Sequence, residues 1–334
     1  MHAFDGGAYT QVHMHACTFM HTLTCMRAHT HTQTHWDYVL MYLCPYKCSS
    51  CVFAARHALT YACQIKKQSK LIQLTTFHRS WTRHHPDWEY WLWTDKSARQ
   101  LIHDRFPALL PVYDAYPENI QRADALRYVV LHEFGGVYAD LDMECLRPLD
   151  PLTFRYACFV GQEPYAHPIM DTNTQTLVIN AFMACRPGHP FLKKVVDSLP
   201  LFAHMWSLLD STGPHFLTFA FKQYMQEHPH YSPEHDNGTY LAPAEYFYPN
   251  MDPDKFAYFF QRCKDYEALS PLQLRACQSL KRTRPRAERL ALAFTTHHWI
   301  HTYLTVKVSL RRPVPIQEVV PHVKIYSRRM KLGD

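Results

Sequence analysis

Along the first half of the ordered-looking chain the apolar positions change period several times, and each change marks an element. Leu71, Leu74, Phe77, His78 and Trp81 fall on one helical face, in a run that stops before Pro86. WEYWLW, from Trp88 to Trp93, reads as a short aromatic strand, and Thr94 is placed to cap a helix carrying Ala98, Leu101, Ile102 and Phe106. From Ile120 to Phe134 the positions Ile120, Ala123, Leu126, Val130 and Phe134 recur at three or four, which predicts an amphipathic helix. Gly135 and Gly136 end it. The next five residues, Val137 to Leu141, form a short strand with an acidic tip.

The same alternation continues downstream. Thr176 to Cys185 reads as a buried strand, and Pro190 opens a helix through Val196. Pro214 starts a further helix that runs from His215 to about Gln226, and Pro229 to Pro253 reads as loop with a strand at Tyr240 to Leu241. Gln261 to Arg289 is polar, basic and weakly periodic, which predicts a surface insertion. Leu290 to Phe294 predicts a last strand, running directly into Thr295, Thr296, His297, His298 and Trp299. Strands alternating with helices predict an α/β fold with one catalytic domain over residues 66–310.

The flanks differ from this. Residues 1–65 read as a low-order segment: the first 35 hold seven histidines and follow no helical or strand period. Residues 311–334 form a basic tail with Arg311, Arg312, Lys324, Arg328, Arg329 and Lys331, most simply a solvated face. The whole chain of 334 residues carries a formal charge of +6, and nothing in it points to a nucleic-acid partner. Nine glycines without a G-x-G-x-x-G or P-loop pattern exclude a glycine-cradled phosphate site. Eleven cysteines, six of them up to Cys63, do not read as a small disulfide framework; Cys44, Cys48 and Cys51 are close enough for zinc but lack a fourth ligand. The most apolar stretch, Tyr38 to Ala55, is broken by Pro45 and Lys47, so no membrane anchor is visible.

Chemistry concentrates between Ile120 and Asp150. Asp140 and Asp142 lie two apart at a strand end, where paired carboxylates make a hard-oxygen site for Mn²⁺ or Mg²⁺ able to bridge a diphosphate. Alone, D-x-D is most often a solvated turn. Asp124 and Arg127, three apart on the preceding helix, can face the same cleft, although such a pair is equally an ordinary helical ion pair.

The segments ADALRY and GGVYADLD resemble the D-x-D region of glycosyltransferase family 32, with Asp124, Arg127, Tyr138, Asp140 and Asp142 at the family's spacing. The likeness extends upstream through HPDWEYWLWTD (His85 to Asp95) and more weakly downstream to His297-His298-Trp299, about Leu71 to Tyr303 in all. It implies a GT-A-like mixed sheet flanked by helices. It also implies a retaining transfer of a hexose from a nucleotide-sugar, GDP-mannose or a UDP-hexose, to a glycan or glycolipid acceptor. By the same resemblance Asp142 binds the metal, Asp140 contacts ribose or metal-bound water, and Asp124 with Arg127 holds the donor sugar's hydroxyls. Tyr138 lines the nucleotide pocket, and His297, His298 and Trp299 close over the diphosphate, His297 completing the metal shell. Asn180 is a further donor-facing candidate, because a strand amide is rarely buried without partners.

One departure stands out. The family begins with a strand that supplies nucleotide contacts, and the region before Leu71 reads only CQIKKQSK, so the first strand is expected to be missing. The alternative reading is therefore an impaired sugar-nucleotide-binding relic of the fold. A metal-dependent phosphodiesterase is disfavoured by the shortage of further ligands. By analogy the location is the Golgi or another endomembrane lumen, with membrane association left open.

Overall fold

The computed structural model describes residues 58–61, 68–282, 291–300 and 324–325, all within the compact unit Trp36–Asp334. The His-rich start and the Cys44-Cys48-Cys51 run lie outside the described residues. In chain order the first elements are β1 (Ala58–Tyr61), α1 (Gln68–His84), β2 (Glu89–Leu92), α2 (Asp95–Arg105), α3 (Leu110–Ala115), α4 (Asn119–Phe134), β3 (Gly136–Ala139) and β4 (Met143–Cys145). Then come α5 (Asp150–Thr153), β5 (Cys158–Gln162), α6 (Ala166–Thr172), β6 (Val178–Cys185), α7 (Pro190–Phe202), α8 (Leu208–Ser211) and α9 (Pro214–Glu227). The last are β7 (Tyr240–Ala242), α10 (Ala244–Phe247), α11 (Pro253–Arg262), α12 (Pro271–Arg282), β8 (Thr295–His297) and β9 (Lys324–Ile325).

A mixed seven-stranded sheet, ordered β7-β5-β6-β3-β1-β2-β9, forms the centre, and β4 pairs with β8 in a separate two-stranded ribbon. β1 is parallel to both β2 and β3, whereas β6 is antiparallel to β3 and to β5. Strand alternation sends Tyr138 and Met183 to one apolar cluster, with Trp93, Tyr128, Phe191 and Phe216, and sends Val137, Ala139 and Phe182 to the other, with Trp81, Phe159 and Phe247. Helices therefore cover both faces, the α/β architecture that the sequence predicts, with the D-x-D segment following a central strand.

Several local expectations hold. Thr94 caps α2 through a reciprocal capping box with Ser97, whose backbone N–H donates to Thr94 Oγ1 at 3.2 Å. Other expectations are corrected. α4 is not amphipathic: every residue from Ala123 to Leu131 is buried, because the helix lies between the sheet and α7, and its polar residues are consumed inside the protein. The missing first strand is present as β1, paired between β2 and β3. It lies inside the stretch 1–65 set aside as low-order, and no apolar alternation marks it. In the basic tail, Lys324 and Ile325 pair with β2, and Lys324 forms an ion pair with Glu89.

The polar span 261–289 holds α12, whose Ala276, Cys277 and Leu280 pack with Phe259 of α11 on Ile169 and Met170 of α6. Interspersed basic residues hid that short apolar stripe. Ala291 to Phe294 is not a strand; Leu292 is 57% exposed, and the strand begins directly after it, where Thr295–His297 finds a partner in Met143–Cys145, while Leu290 lies outside the described residues. Disulfides, not expected from the cysteine distribution, join Cys158 to Cys185 and Cys263 to Cys277. The first pair is brought face to face by the β5–β6 register, which no linear spacing announces.

The two glycines after α4 matter for the site. Gly135 has φ +74° and Gly136 φ +92°, conformations that reverse the chain from helix to strand. A Cβ on Gly135 would lie 2.4 Å from Pro187 Cδ. Gly135→Ala is therefore expected to destabilise the chain by about 2–4 kcal/mol in a denaturant titration; a loss below about 1 kcal/mol would show that the turn has room.

Candidate active site

The site forms where β3 and β6 end beside each other. Asp140 follows β3 directly, and its backbone N–H donates to the carbonyl of Ala181 at 2.8 Å, extending the ladder by one bond. The chain then turns, with the N–H of Met143 donating to the carbonyl of Asp140 at 2.9 Å, so Asp140 and Asp142 sit on a tight bend. α1 holds that bend from beneath: Trp81 Nε1 donates to the Met143 carbonyl at 2.8 Å, and the Cys145 N–H donates to Ser80 Oγ at 2.8 Å.

β8 delivers the third group. Its antiparallel register sets His297 opposite Met143, and His297 Nε2 lies 3.1 Å from Asp142 Oδ1. The other oxygen of Asp142 accepts the Ile300 N–H at 2.8 Å. One ligand atom each from Asp140, Asp142 and His297 fall within 4.8 Å of one another. Two carboxylates and an imidazole are a donor set that suits Mn²⁺ better than the harder Mg²⁺, and His297 Nδ1 is buried with no hydrogen-bond partner among the described residues. The residues thus fit a divalent ion held by Asp140, Asp142 and His297.

Electrostatics agree with a charged site kept partly dry. Burial pushes the Asp142 carboxyl upward, but the attraction and hydrogen bond of His297 outweigh it and hold the group at about 2. Burial also lowers the His297 imidazole, and Asp142 more than reverses this, leaving it above its ordinary value. Asp140, the most open of the three with 29% of its side chain exposed, is raised by desolvation and by Asp142 against the pull of Arg127.

Arg127 joins the metal-ligand candidates to the interior. Its guanidinium lies 2.8 Å from Asp124 Oδ1 and 3.3 Å from Asp140 Oδ1, donates to the carbonyl of Asn180 at 2.8 Å, and stacks 4.4 Å over the Tyr138 ring. Tyr138 in turn donates its hydroxyl to Asp140. Asp124 accepts from Asn180 Nδ2 at 2.9 Å and from Thr212 Oγ1 at 3.1 Å. Burial raises its carboxyl to about 6, against the opposing pull of Arg127. The Asp124–Arg127 pair is therefore no surface ion pair. Asn180 is buried, as the sequence reading requires of a strand amide, and its partners are Asp124 and the Tyr128 hydroxyl, the latter at 3.1 Å.

The C-terminal cluster divides. His297 faces the carboxylates, while His298, next along the strand, points elsewhere: it meets Glu144 at 2.9 Å and stacks on Phe77. Trp299 has φ +51° and donates its indole N–H to the Asn250 carbonyl at 3.0 Å, so that N–H is already engaged. Sequence reasoning missed Tyr128 and Thr212. Tyr128 is one aromatic among many in a buried helix, and Thr212 lies 88 residues from the Asp124 it supports, with no local signal to find it.

Residues 73–159 match the family described as the glycosyltransferase sugar-binding region containing DXD motif. Inositol phosphoceramide mannosyltransferase 3 of Schizosaccharomyces pombe is 42% identical over 139 residues, 40% of this chain and 36% of that protein. Mannosyl phosphorylinositol ceramide synthase SUR1 of Saccharomyces cerevisiae is 38% identical over 168 residues, 48% of this chain and 40% of that protein. The matched stretches thus span less than half the length of either relative. Among solved structures the PaToxG glycosyltransferase aligns over 71% of this chain and 86% of its own, at 16% identity and a TM-score of 0.37. Residues 73–159, which include Asp124, Arg127, Tyr138, Asp140 and Asp142, are thus similar to the sugar-binding region of D-x-D glycosyltransferases.

Proposed function

We propose that this protein transfers a hexose, with retention, from a nucleotide-sugar to a glycolipid or glycan acceptor. GDP-mannose ranks first among donors because one relative is named a mannosyltransferase and the other for a mannosyl product. The observation that carries the reading is the convergence of Asp140, Asp142 and His297 within 4.8 Å beside the buried Asp124–Arg127 pair. A divalent ion bound there would stabilise the charge growing on the departing diphosphate. Arg127 would keep Asp140 oriented and ionised, and Tyr138 would fix the same carboxylate from the strand. Asp124 with Arg127 would form the sugar end of the donor site: a carboxylate has about four acceptor positions, and Asp124 uses three on Arg127, Asn180 and Thr212, which leaves one for a sugar hydroxyl. To reach the donor, the His298 side chain would have to leave Glu144 and the Trp299 indole the Asn250 carbonyl.

Two disulfides among the described residues favour an oxidising compartment, in keeping with a Golgi or other endomembrane lumen. No described helix is long and apolar enough to cross a membrane.

The sugar-reading role has its own test. Asp124→Asn should weaken the nucleotide-sugar by about ten- to a hundred-fold, the worth of a charge-assisted hydrogen bond of about 1.5–3 kcal/mol, and leave the bare nucleoside diphosphate little changed. Equal weakening of both would assign Asp124 to general support of the cleft.

A further inference from the structure

The largest apolar exposure among the described residues lies at one corner, where α7 ends, a short loop leads to α8, and α9 returns alongside. Trp206 is 93% exposed and Leu201 69%, with Leu209 at 45%, Phe219 at 44% and Met205 at 36%. The backbone beneath them is held. Phe202 packs against the rings of Phe216 and Phe219 at 5.3 and 5.1 Å, the Met205 N–H donates to the Phe202 carbonyl, and Ser207 Oγ caps α8 through the Leu209 N–H at 3.2 Å. Large apolar side chains are thus displayed on a fixed support.

The apolar tip of the corner carries no formal charge. Leu199 to Leu209 contains no Asp, Glu, Lys or Arg. Both flanking carboxylates have partners, Asp197 in Lys193 at 2.6 Å and Asp210 in His215 at 2.9 Å, and His215 neutralises Asp210 only when protonated. Lys222, one turn beyond Phe219 on α9, is exposed and has no ion pair among the described residues, and His204 is exposed within the loop.

We propose that this corner is a membrane-docking surface that seats Trp206, Leu201, Leu209 and Phe219 in the interfacial layer of a lipid bilayer. Five partly exposed side chains offer on the order of 500 Å², short of the roughly 800 Å² per partner that a stable protein interface buries. A bilayer sets no such minimum, and an indole flanked by aliphatic groups and a cation suits its boundary with water. The corner is also tied to the site: α8 ends at Ser211, which accepts from Gln121 Nε2 at 2.8 Å, and the next residue, Thr212, donates to Asp124. Docking here would bring the sugar end of the site toward the headgroup layer. The inference stands apart from the transfer reaction, because vesicle binding needs neither donor nor ion.

The test uses the full chain in co-sedimentation with vesicles of phosphatidylcholine, alone and mixed with phosphatidylserine. The wild type should bind both, more tightly when phosphatidylserine is present. Trp206→Ser with Leu209→Ser should lower the partition coefficient by about tenfold or more without moving the thermal transition. Lys222→Glu should abolish the phosphatidylserine preference and leave binding to phosphatidylcholine intact. Absence of wild-type binding, or binding undiminished in the double variant, would overturn the proposal. So would a dimer in sedimentation velocity that Trp206→Ser dissociates while vesicles capture nothing.

Discussion

Arg127→Ala is expected to destabilise the folded chain by about 3–5 kcal/mol, the cost of leaving buried charge uncompensated. Asp124, 5% exposed, would lose its only cationic partner among the described residues while still buried among Tyr128, Asn180 and Thr212. Asp140 would lose the same guanidinium, and the Asn180 carbonyl would lose a donor at 2.8 Å. An exposed i,i+3 pair would instead be worth less than about 0.5 kcal/mol, so a denaturant titration separates the two cases by several-fold. A change below about 1 kcal/mol would mean that the pair is solvated. The Asp124 carboxyl, already raised to about 6 by burial, should rise further in the variant, because Arg127 is the chief group opposing desolvation.

Under the proposed function, Asp142→Asn is expected to lower kcat/KM by about 10²–10³-fold, because it removes a charge that would hold a divalent ion against the departing diphosphate. Folding should survive. Asparagine keeps an acceptor for the Ile300 N–H, and the turn is also held by Trp81 and Ser80. Its acid behaviour should change in a defined direction. In the metal-free wild type the Asp142 carboxyl lies at about 2 against an ordinary 3.8, so it stabilises the fold above the ordinary value and loses that contribution as the pH falls toward 2. The variant has no such contribution to lose, and its stability should fall less steeply across that window. An unchanged kcat/KM would remove Asp142 from the site.

How much of this was legible beforehand follows from the range over which each signal acts. α2, β2 and the Gly135-Gly136 break were readable because capping, aromatic density and positive-φ glycines act within a few residues. Asp124, Arg127, Asp140 and Asp142 were readable as a group because one helix, one turn and one strand carry all four. His297 could be named from its polar-aromatic neighbourhood, but the strand that delivers it was placed too early: LALAF has the stronger apolar pattern, and pairing with Met143–Cys145 overrode that preference. β1 was invisible because ALTY carries no strong alternation and gains its place only from β2 and β3. α4 misled in the other direction. Its apolar spacing read as one face of an amphipathic helix, whereas Asp124 and Arg127 on the remaining side are buried too and satisfy each other inside the protein, a pairing that needs Asn180 and Thr212 from distant segments. The Cys158–Cys185 link likewise depends on sheet register and on nothing within either local sequence.

The central claim, a donor site that depends on a divalent ion, is tested most directly by calorimetric titration of the purified chain with GDP-mannose and UDP-hexoses, with Mn²⁺ and with chelator. Saturable binding of one donor is expected with Mn²⁺ present, with a loss of at least about tenfold in affinity without it. Binding of equal strength in chelator, or no donor binding at any Mn²⁺ concentration, would contradict it.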